Sequence, residues 1–462
     1  MKIAMCASEV VPFAKTGGLA DVAGSLPLAL EELGQEVIVI MPLYREVREC
    51  GVEIRKVKEG IWSSNLGKNV KVYFIENDRY FDREGLYGER MGDYPDNIKR
   101  FAFYSAGIIK LLKEIDFKPD VMHLHDWQAS LVPVYMNAFY SKDAFYKKIK
   151  TVLTIHNAGY QGIFSREEFP ELGLDESYFN IDGLEFYGQV NLLKGGIKYC
   201  DIINTVSKTY SQEIQTPAFS FGLDGVIRDS RDKLTGILNG LDYAIWNPKT
   251  DKYIARNFDL DSIGDKAADK EALQRVCNLP VSKDIPLLGI VSRLAQQKGF
   301  NLLAEGIDKI CGMGVQLVIL GMGDYRYHTI MEQAAKRWPR NISLNPRFDN
   351  PLAHKIYAGS DIFLMPSHYE PCGLGQMISL KYATIPLVFK TGGLADTVNK
   401  DNGFVFDKYS SAELIKTLEK ALAAYKDKFK WAGLMKNAMK SNFSWESSAR
   451  QYLELYEKAI AA

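Results

Sequence analysis

The chain has 462 residues, 47% of them hydrophobic and 25% charged, with 57 lysines and arginines against 57 aspartates and glutamates. That length predicts two or three domains, with cores large enough to fold without disulfides. Zero net charge argues against a nucleic-acid partner, which usually calls for a basic excess.

Six cysteines (Cys6, Cys50, Cys200, Cys277, Cys311 and Cys372) are scattered without a CxxC spacing. That disfavours zinc or thioredoxin-like chemistry and fits a reducing compartment. The opening MKIAMCASEV has neither a secretory nor an organellar pattern, and no apolar run approaches a membrane span. A cytoplasmic protein with no membrane partner is expected.

In chain order, residues 2–7 read as a buried parallel strand, the loop SEVVPFAKTGG follows, and LADVAGSLPLALEEL has helical spacing that stops at Gly34. EVIVIM is the next strand, completing a right-handed β-α-β unit. Short apolar strands recur at 121–125, 152–156 and 202–206. The second half repeats the scheme, with strands at 286–291, 315–320, 341–345, 361–365 and 385–389, and helices at 301–310 and 374–383. The last hundred residues are mostly helical, including 412–425 and 448–460. Two runs of alternating strand and helix predict an α/β protein with two doubly wound, Rossmann-like domains. The polar stretch 246–251 (WNPKTD) is the expected hinge.

One segment occurs twice: KTGGLADV at 15–22 and KTGGLADTV at 390–398. Each opens a turn after a strand and loop. Gly17-Gly18 and Gly392-Gly393 are expected to leave backbone N–H groups open to an anion, with Lys15 adding charge. Two ordinary strand-to-helix turns are the plainer alternative. Neither copy is a P-loop or a GxGxxG fingerprint, which disfavours a nicotinamide dehydrogenase.

Arg293 and Lys298, in SRLAQQKG, follow a strand at the sheet edge where open α/β proteins bind ligands. They suit a diphosphate leaving group, or else form a solvated loop. Glu370, in PSHYEPCGLGQ, stands in a loop stiffened by proline and glycine, where a carboxylate can accept from sugar hydroxyls; Gly373 and Leu374 offer N–H groups to the next helix. His156 ends a strand in TIHNAGYQGIF. His123 and His125 share one face of the strand in HLHDWQ, with only Asp126 near as a third ligand, so no metal site is expected.

Together with NLLKGGIKYCDIINTVS, GLDGVI, GILNGLDYAIWNP and LGMGD, these motifs cover nearly the whole chain. In that order they resemble the bacterial glycogen synthases and plant starch synthases of glycosyltransferase family 5. The resemblance implies a GT-B fold: an N-terminal domain over 1–244, a nucleotide-sugar domain over 245–444, and a helix over 445–462 returning to the first, with a cleft that closes for catalysis. It implies retaining transfer of glucose from ADP-glucose to the non-reducing end of an α-1,4-glucan, with no metal or other cofactor. It gives Arg293 and Lys298 the diphosphate, Glu370 the glucose hydroxyls, His156 the 6-hydroxyl, and Asp126 a place near the reacting centre. Lys15, Gly18, Asp21 and Asn239 fall on the donor's N-terminal side. Phe348 lies against the base, and Gly373, Leu374, Thr391, Gly392 and Gly393 fall at the donor, with the last two donating N–H groups to the distal phosphate.

The chain departs from the family pattern at Gly375 (usually threonine), Ala383 (usually glycine) and His368 (usually arginine). A sucrose- or trehalose-synthase-like transferase would share the arginine, lysine and glutamate but not the early motifs. A phosphorylase would need a pyridoxal-lysine site and a longer chain. A silent glucan-binding protein would not need the intact set Lys15, His156, Arg293, Lys298 and Glu370.

Overall fold

The computed structural model describes residues 1–89 and 92–461. The chain divides into two compact units, one of Met1–Gly240 with Trp445–Ala462 and one of Leu241–Ser444.

The first unit is built on a nine-stranded sheet. Its strands are β1 (Lys2–Cys6), β2 (Glu36–Pro42), β3 (Arg55–Lys58), β4 (Ile61–Leu66), β5 (Val70–Ile75), β6 (Val121–His125), β7 (Lys150–Ile155), β8 (Ile202–Thr205) and β9 (Leu234–Gly236). The spatial order is β9-β8-β7-β6-β1-β2-β5-β4-β3. All neighbours are parallel except the antiparallel β5-β4-β3 edge. The inner strands are mostly apolar and buried along almost their whole length, as strands covered on both faces must be. Helix α1 (Gly18–Glu32) starts at the first double glycine and ends before Gly34, which takes φ +82° as a helix-terminating glycine does.

The terminal helix, Trp445–Ala461, packs on α1 and on β7 within this unit. It buries Tyr452 and Tyr456 completely. Side chains of that size each contribute roughly 2–3 kcal/mol of burial, and both hydroxyls reach partners inside the sheet layer.

The second unit carries a six-stranded, all-parallel sheet. Its strands are β10 (Leu287–Val291), β11 (Gln316–Leu320), β12 (Ile342–Asn345), β13 (Ile362–Met365), β14 (Ile385–Phe389) and β15 (Phe404–Phe406), in the order β12-β11-β10-β13-β14-β15. Its core joins Leu288, Leu317, Ile362 and Leu387 from the sheet to Phe300, Leu303 and Ile307 of the helix Phe300–Gly312, and to Leu414 and Leu418 of Ser411–Lys426.

The stretch expected to be a hinge is fixed inside this second unit. Trp246 stacks on His354 with ring centroids 4.1 Å apart and planes 13° apart. Asp251 is 5% exposed, accepts from the Tyr382 hydroxyl at 2.5 Å, and lies 2.6 Å from His354 Nδ1. Proline beside polar residues marks a loop, but stacking of the tryptophan on His354 and burial of the carboxylate decide that this loop is anchored. The chain passes between units at Gly240–Leu241 and Ser444–Trp445 instead.

Candidate functional site

In a doubly wound sheet the crossovers reverse direction at one point, and loops leaving the two strands there splay apart to leave a crevice. In the first unit that point lies between β1 and β6, in the second between β10 and β13. Lys15, Gly18, Asp21 and Asp126 follow β1 and β6, and Arg293, Lys298, Glu370, Gly373 and Leu374 follow β10 and β13; His156 follows β7, Thr391, Gly392 and Gly393 follow β14, and Asn239 and Phe348 follow the edge strands β9 and β12.

In the first unit, Asp126 follows β6 directly. It sits in the left-handed region at φ +54° and is 9% exposed, a conformation that costs a non-glycine residue of the order of 1 kcal/mol. Its Oδ1 accepts the His156 backbone N–H at 2.7 Å, and the Asn157 amide also donates to the carboxylate. Burial outweighs these bonds and pushes the carboxyl up to about 7. His156, at the end of β7, is thereby tied to the end of β6. Its Nε2 lies 2.9 Å from His125 Nδ1. Burial lowers the pKa of His123 and His156 to about 3, and that of His125 well below the usual range, so all three rings are neutral. Among the described residues no cluster of three or more His, Cys, Asp or Glu is arranged to hold a metal ion.

The first KTGG turn differs from its expected form. The amides of Thr16 and Gly17 donate to Glu9 Oε2 at 2.5 and 2.9 Å, and Thr16 Oγ1 and the Tyr87 hydroxyl donate to Oε1. Gly17 therefore does not leave an open amide. A buried carboxylate of this chain already occupies the positive end of α1. Lys15 Nζ donates to Asp21 at 2.6 and 2.8 Å, which pairs two expected donor-side residues. Beside Gly18 there is open space where a Cβ would be. Asn239 is 7% exposed, and its Oδ1 has no hydrogen-bond partner among the described residues.

In the second unit, Lys298 Nζ donates to Glu370 Oε2 at 2.6 Å. Lys298 ends the loop after β10 and Glu370 stands in the loop after β13, so the pair bridges the crossover point. The two loops touch through Gly299, where an added Cβ would lie 2.1 Å from the Pro366 carbonyl. Arg293 lies exposed on the loop leaving β10, and Phe348, on the loop after β12, is 86% exposed.

The second KTGG turn does not mirror the first. The Gly393 amide donates to the carbonyls of Glu370 and Pro371, at 3.0 and 3.2 Å. An added Cβ would meet the Glu370 carbonyl at 2.0 Å from Gly392 and the Cys372 carbonyl at 1.9 Å from Gly393. These glycines are there because the Glu370 loop lies against them. The expected phosphate contact at the Gly393 amide gives way to a main-chain bond that holds that loop. Thr391, fully buried, stands at the N-cap position of this short helix. Gly373 takes φ +75°, and Leu374 is the residue before helix Gly375–Lys381.

Sequence reasoning missed Glu9, His125 as a partner of His156, and Tyr87. For Glu9 a signal existed, a lone carboxylate eight residues ahead of a double-glycine helix start. For Tyr87 no local pattern points to Glu9, which is 78 residues away.

Residues 2–229 match the starch synthase catalytic domain family, and residues 278–433 the glycosyl transferases group 1 family. The chain is 49% identical to the glycogen synthase of Geotalea uraniireducens, over 100% of this chain and 99% of that protein. It is 46% identical to the glycogen synthase of Thermotoga maritima with the same coverage. It belongs to the glycogen and starch synthase family. The structure agrees: the catalytic domain of starch synthase IV from Arabidopsis thaliana, solved with ADP and acarbose, superposes with a TM-score of 0.89 at 32% identity, covering 100% of this chain and 99% of that one. A sucrose-phosphate synthase from Thermosynechococcus elongatus, at 15% identity and a TM-score of 0.62, shares the fold.

As a member of the glycogen and starch synthase family, the chain has the GT-B fold. It is a hexosyltransferase of glycogen and starch synthesis, a reaction that joins a nucleotide-sugar donor to a glucan acceptor. Among the described residues no helix is long and apolar enough to cross a membrane.

The three departures from the family pattern have local settings. A Cβ at Gly375 would lie 3.1 Å from the Phe363 ring and 3.3 Å from the Tyr357 hydroxyl, so those rings fill the space a threonine would need. Ala383 sits at φ +54°, where glycine is at ease and alanine is strained. His368 is exposed, with its ring 4.5 Å from that of Tyr409.

Proposed function

We propose that this chain transfers glucose from ADP-glucose to the non-reducing end of an α-1,4-glucan with retention of configuration, and that it needs no metal or other cofactor. The observation that carries the reading is the Lys298–Glu370 pair at the crossover point of the second sheet. A cation suited to phosphate and a carboxylate suited to sugar hydroxyls stand in contact there, as the two halves of a nucleotide sugar require. Arg293 and Lys298 take the diphosphate and stabilise the charge that develops on it. Glu370 accepts from the glucose hydroxyls, Phe348 offers its exposed ring to the base, and Gly373, Leu374 and Thr391 shape the loop around the donor. Gly392 and Gly393 act by holding that loop. Lys15, Gly18, Asp21, Asn239 and His156 serve the donor from the first unit, with His156 at the 6-hydroxyl.

The glucose C1–O bond to the β-phosphate breaks as C1 acquires oxocarbenium character. The acceptor 4-hydroxyl attacks C1 from the same face and passes its proton to the departing phosphate oxygen, leaving ADP. A double displacement would need a carboxylate free to attack. Glu370 is paired with Lys298, and Asp126 is engaged by two backbone amides. Trapping of a glucosyl-enzyme ester would exclude front-face attack.

The test is glucose incorporation into glycogen from ADP-glucose and UDP-glucose, side by side, for the native chain and Glu370→Ala. Strong incorporation from ADP-glucose, lost in the variant, supports reaction, donor and site together. Preference for UDP-glucose keeps the reaction and overturns the donor. Incorporation from neither donor overturns the acceptor.

A further inference from the structure

Strand β6 is wholly buried, yet it carries two histidines on one face. His123 has both ring nitrogens engaged, Nε2 at 2.7 Å from Thr154 Oγ1 and Nδ1 at 2.8 Å from the Tyr456 hydroxyl of the terminal helix. The His125 ring lies against it, with centroids 4.2 Å apart. On its far side, His125 Nδ1 meets His156 Nε2 at 2.9 Å. His125 Nε2 is buried and has no hydrogen-bond partner among the described residues.

Both rings are neutral, so the bond between them holds one proton, and two arrangements are open. If His156 donated from Nε2, His125 would have to carry its own proton on Nε2, as a buried N–H with no acceptor. Orphaned buried N–H groups are the rarer defect in folded proteins, and each carries the full desolvation cost of its donor. If His125 donates from Nδ1, only a lone pair is left at its Nε2. The proton of His156 then lies on Nδ1.

We propose that His125 is a positioning residue that holds His156 as the Nδ1–H tautomer, so that the His156 ring presents a donor, not an acceptor, to the glucose of the donor substrate. The proposal rests on the reading above in one respect, the assignment of His156 to the 6-hydroxyl. The tautomer itself stands on the geometry of this unit alone. It also gives the terminal helix a link to the sugar, from Tyr456 through the packed rings of His123 and His125 to His156.

Two measurements test it. In the native protein labelled with ¹⁵N-histidine, long-range ¹H–¹⁵N spectra should show a protonated Nδ1 and an unprotonated Nε2 for His156, with its signals assigned by their loss in His156→Asn. The reverse pattern overturns the proposal. In the second, His125→Phe keeps a ring in place but removes the donor. The native chain should favour ADP-glucose over its 6-deoxy analogue by about tenfold in kcat/KM, the worth of one hydrogen bond. In His125→Phe that ratio should fall towards one, with transfer from the 6-deoxy donor changed little. An equal loss on both donors would mean a merely structural role and overturns the proposal. If the native chain does not discriminate while the spectrum shows the Nδ1–H form, the tautomer stands and the 6-hydroxyl assignment fails.

Discussion

Lys298 Nζ lies 2.6 Å from Glu370 Oε2, and the two side chains come from loops 72 residues apart in the chain. They are largely buried, at 17% and 9% side-chain exposure. A pair so enclosed contributes little over a packed apolar pair, but removing one member strands the other. Glu370→Ala should therefore lose about 2–4 kcal/mol of stability and at least about a hundredfold in kcat/KM. Pairing Glu370→Gln with Lys298→Met should regain most of the stability and none of the activity. Denaturant unfolding alongside glucosyl-transfer kinetics separates the two effects. Full stability in Glu370→Ala would show that Lys298 finds another partner.

Asp126 gives a pH dependence with a definite sign. Burial holds its carboxyl near 7, above the ordinary carboxylate value, so the unfolded chain releases this proton at lower pH than the folded one. Its contribution to stability is present below about pH 4 and is lost as pH rises through about 7. Asp126→Asn keeps an oxygen to accept the His156 amide, and asparagine tolerates φ +54°. The variant should be more stable than the native chain at pH 8, by roughly 1–3 kcal/mol, with the gain shrinking towards pH 5, and it should be nearly inactive. Thermal melts at the two pH values check this; a gain that does not change with pH would mean that Asp126 is not the titrating group.

Ala383 is a simpler case. It occupies a left-handed turn at φ +54°, and it is fully buried. Ala383→Gly should stabilise the chain by about 0.5–1 kcal/mol by removing that strain, without altering kcat or KM. A loss of stability would show that the Cβ packs better than the backbone strain costs.

Much of the fold was legible because its signals are local. Runs such as KIAMC, EVIVIMP and QLVIL are short and apolar, and they lie where the chain alternates strand and helix. The edge strand RKVK was not, since it is largely exposed and shows no apolar run. The site was legible as a set of residues and not as a set of contacts. Glu370, Lys298, His156 and Asp126 could be named from their loops. That Glu9 fills the first glycine turn, or that Asp251 joins His354 from 103 residues away to anchor the expected hinge, depends on chain segments brought together only by folding.

The repeated KTGGLAD segment shows the same limit most directly, and it yields the sharpest contrast. Nothing lies within 4 Å of a Cβ added at Gly17, whose φ of −145° any residue adopts, whereas a Cβ at Gly393 would run into the Cys372 carbonyl at 1.9 Å. Gly17→Ala should change stability by less than about 0.5 kcal/mol. Gly393→Ala must push the Cys372 main chain away and carry the Glu370 loop with it. The expected cost is roughly 2–4 kcal/mol by overpacking, with kcat/KM falling about a hundredfold as Glu370 leaves its place beside Lys298. Stability and kinetics of both variants, measured together, decide it. Equal tolerance at the two positions would mean that the Glu370 loop yields easily and that the second turn does not hold it.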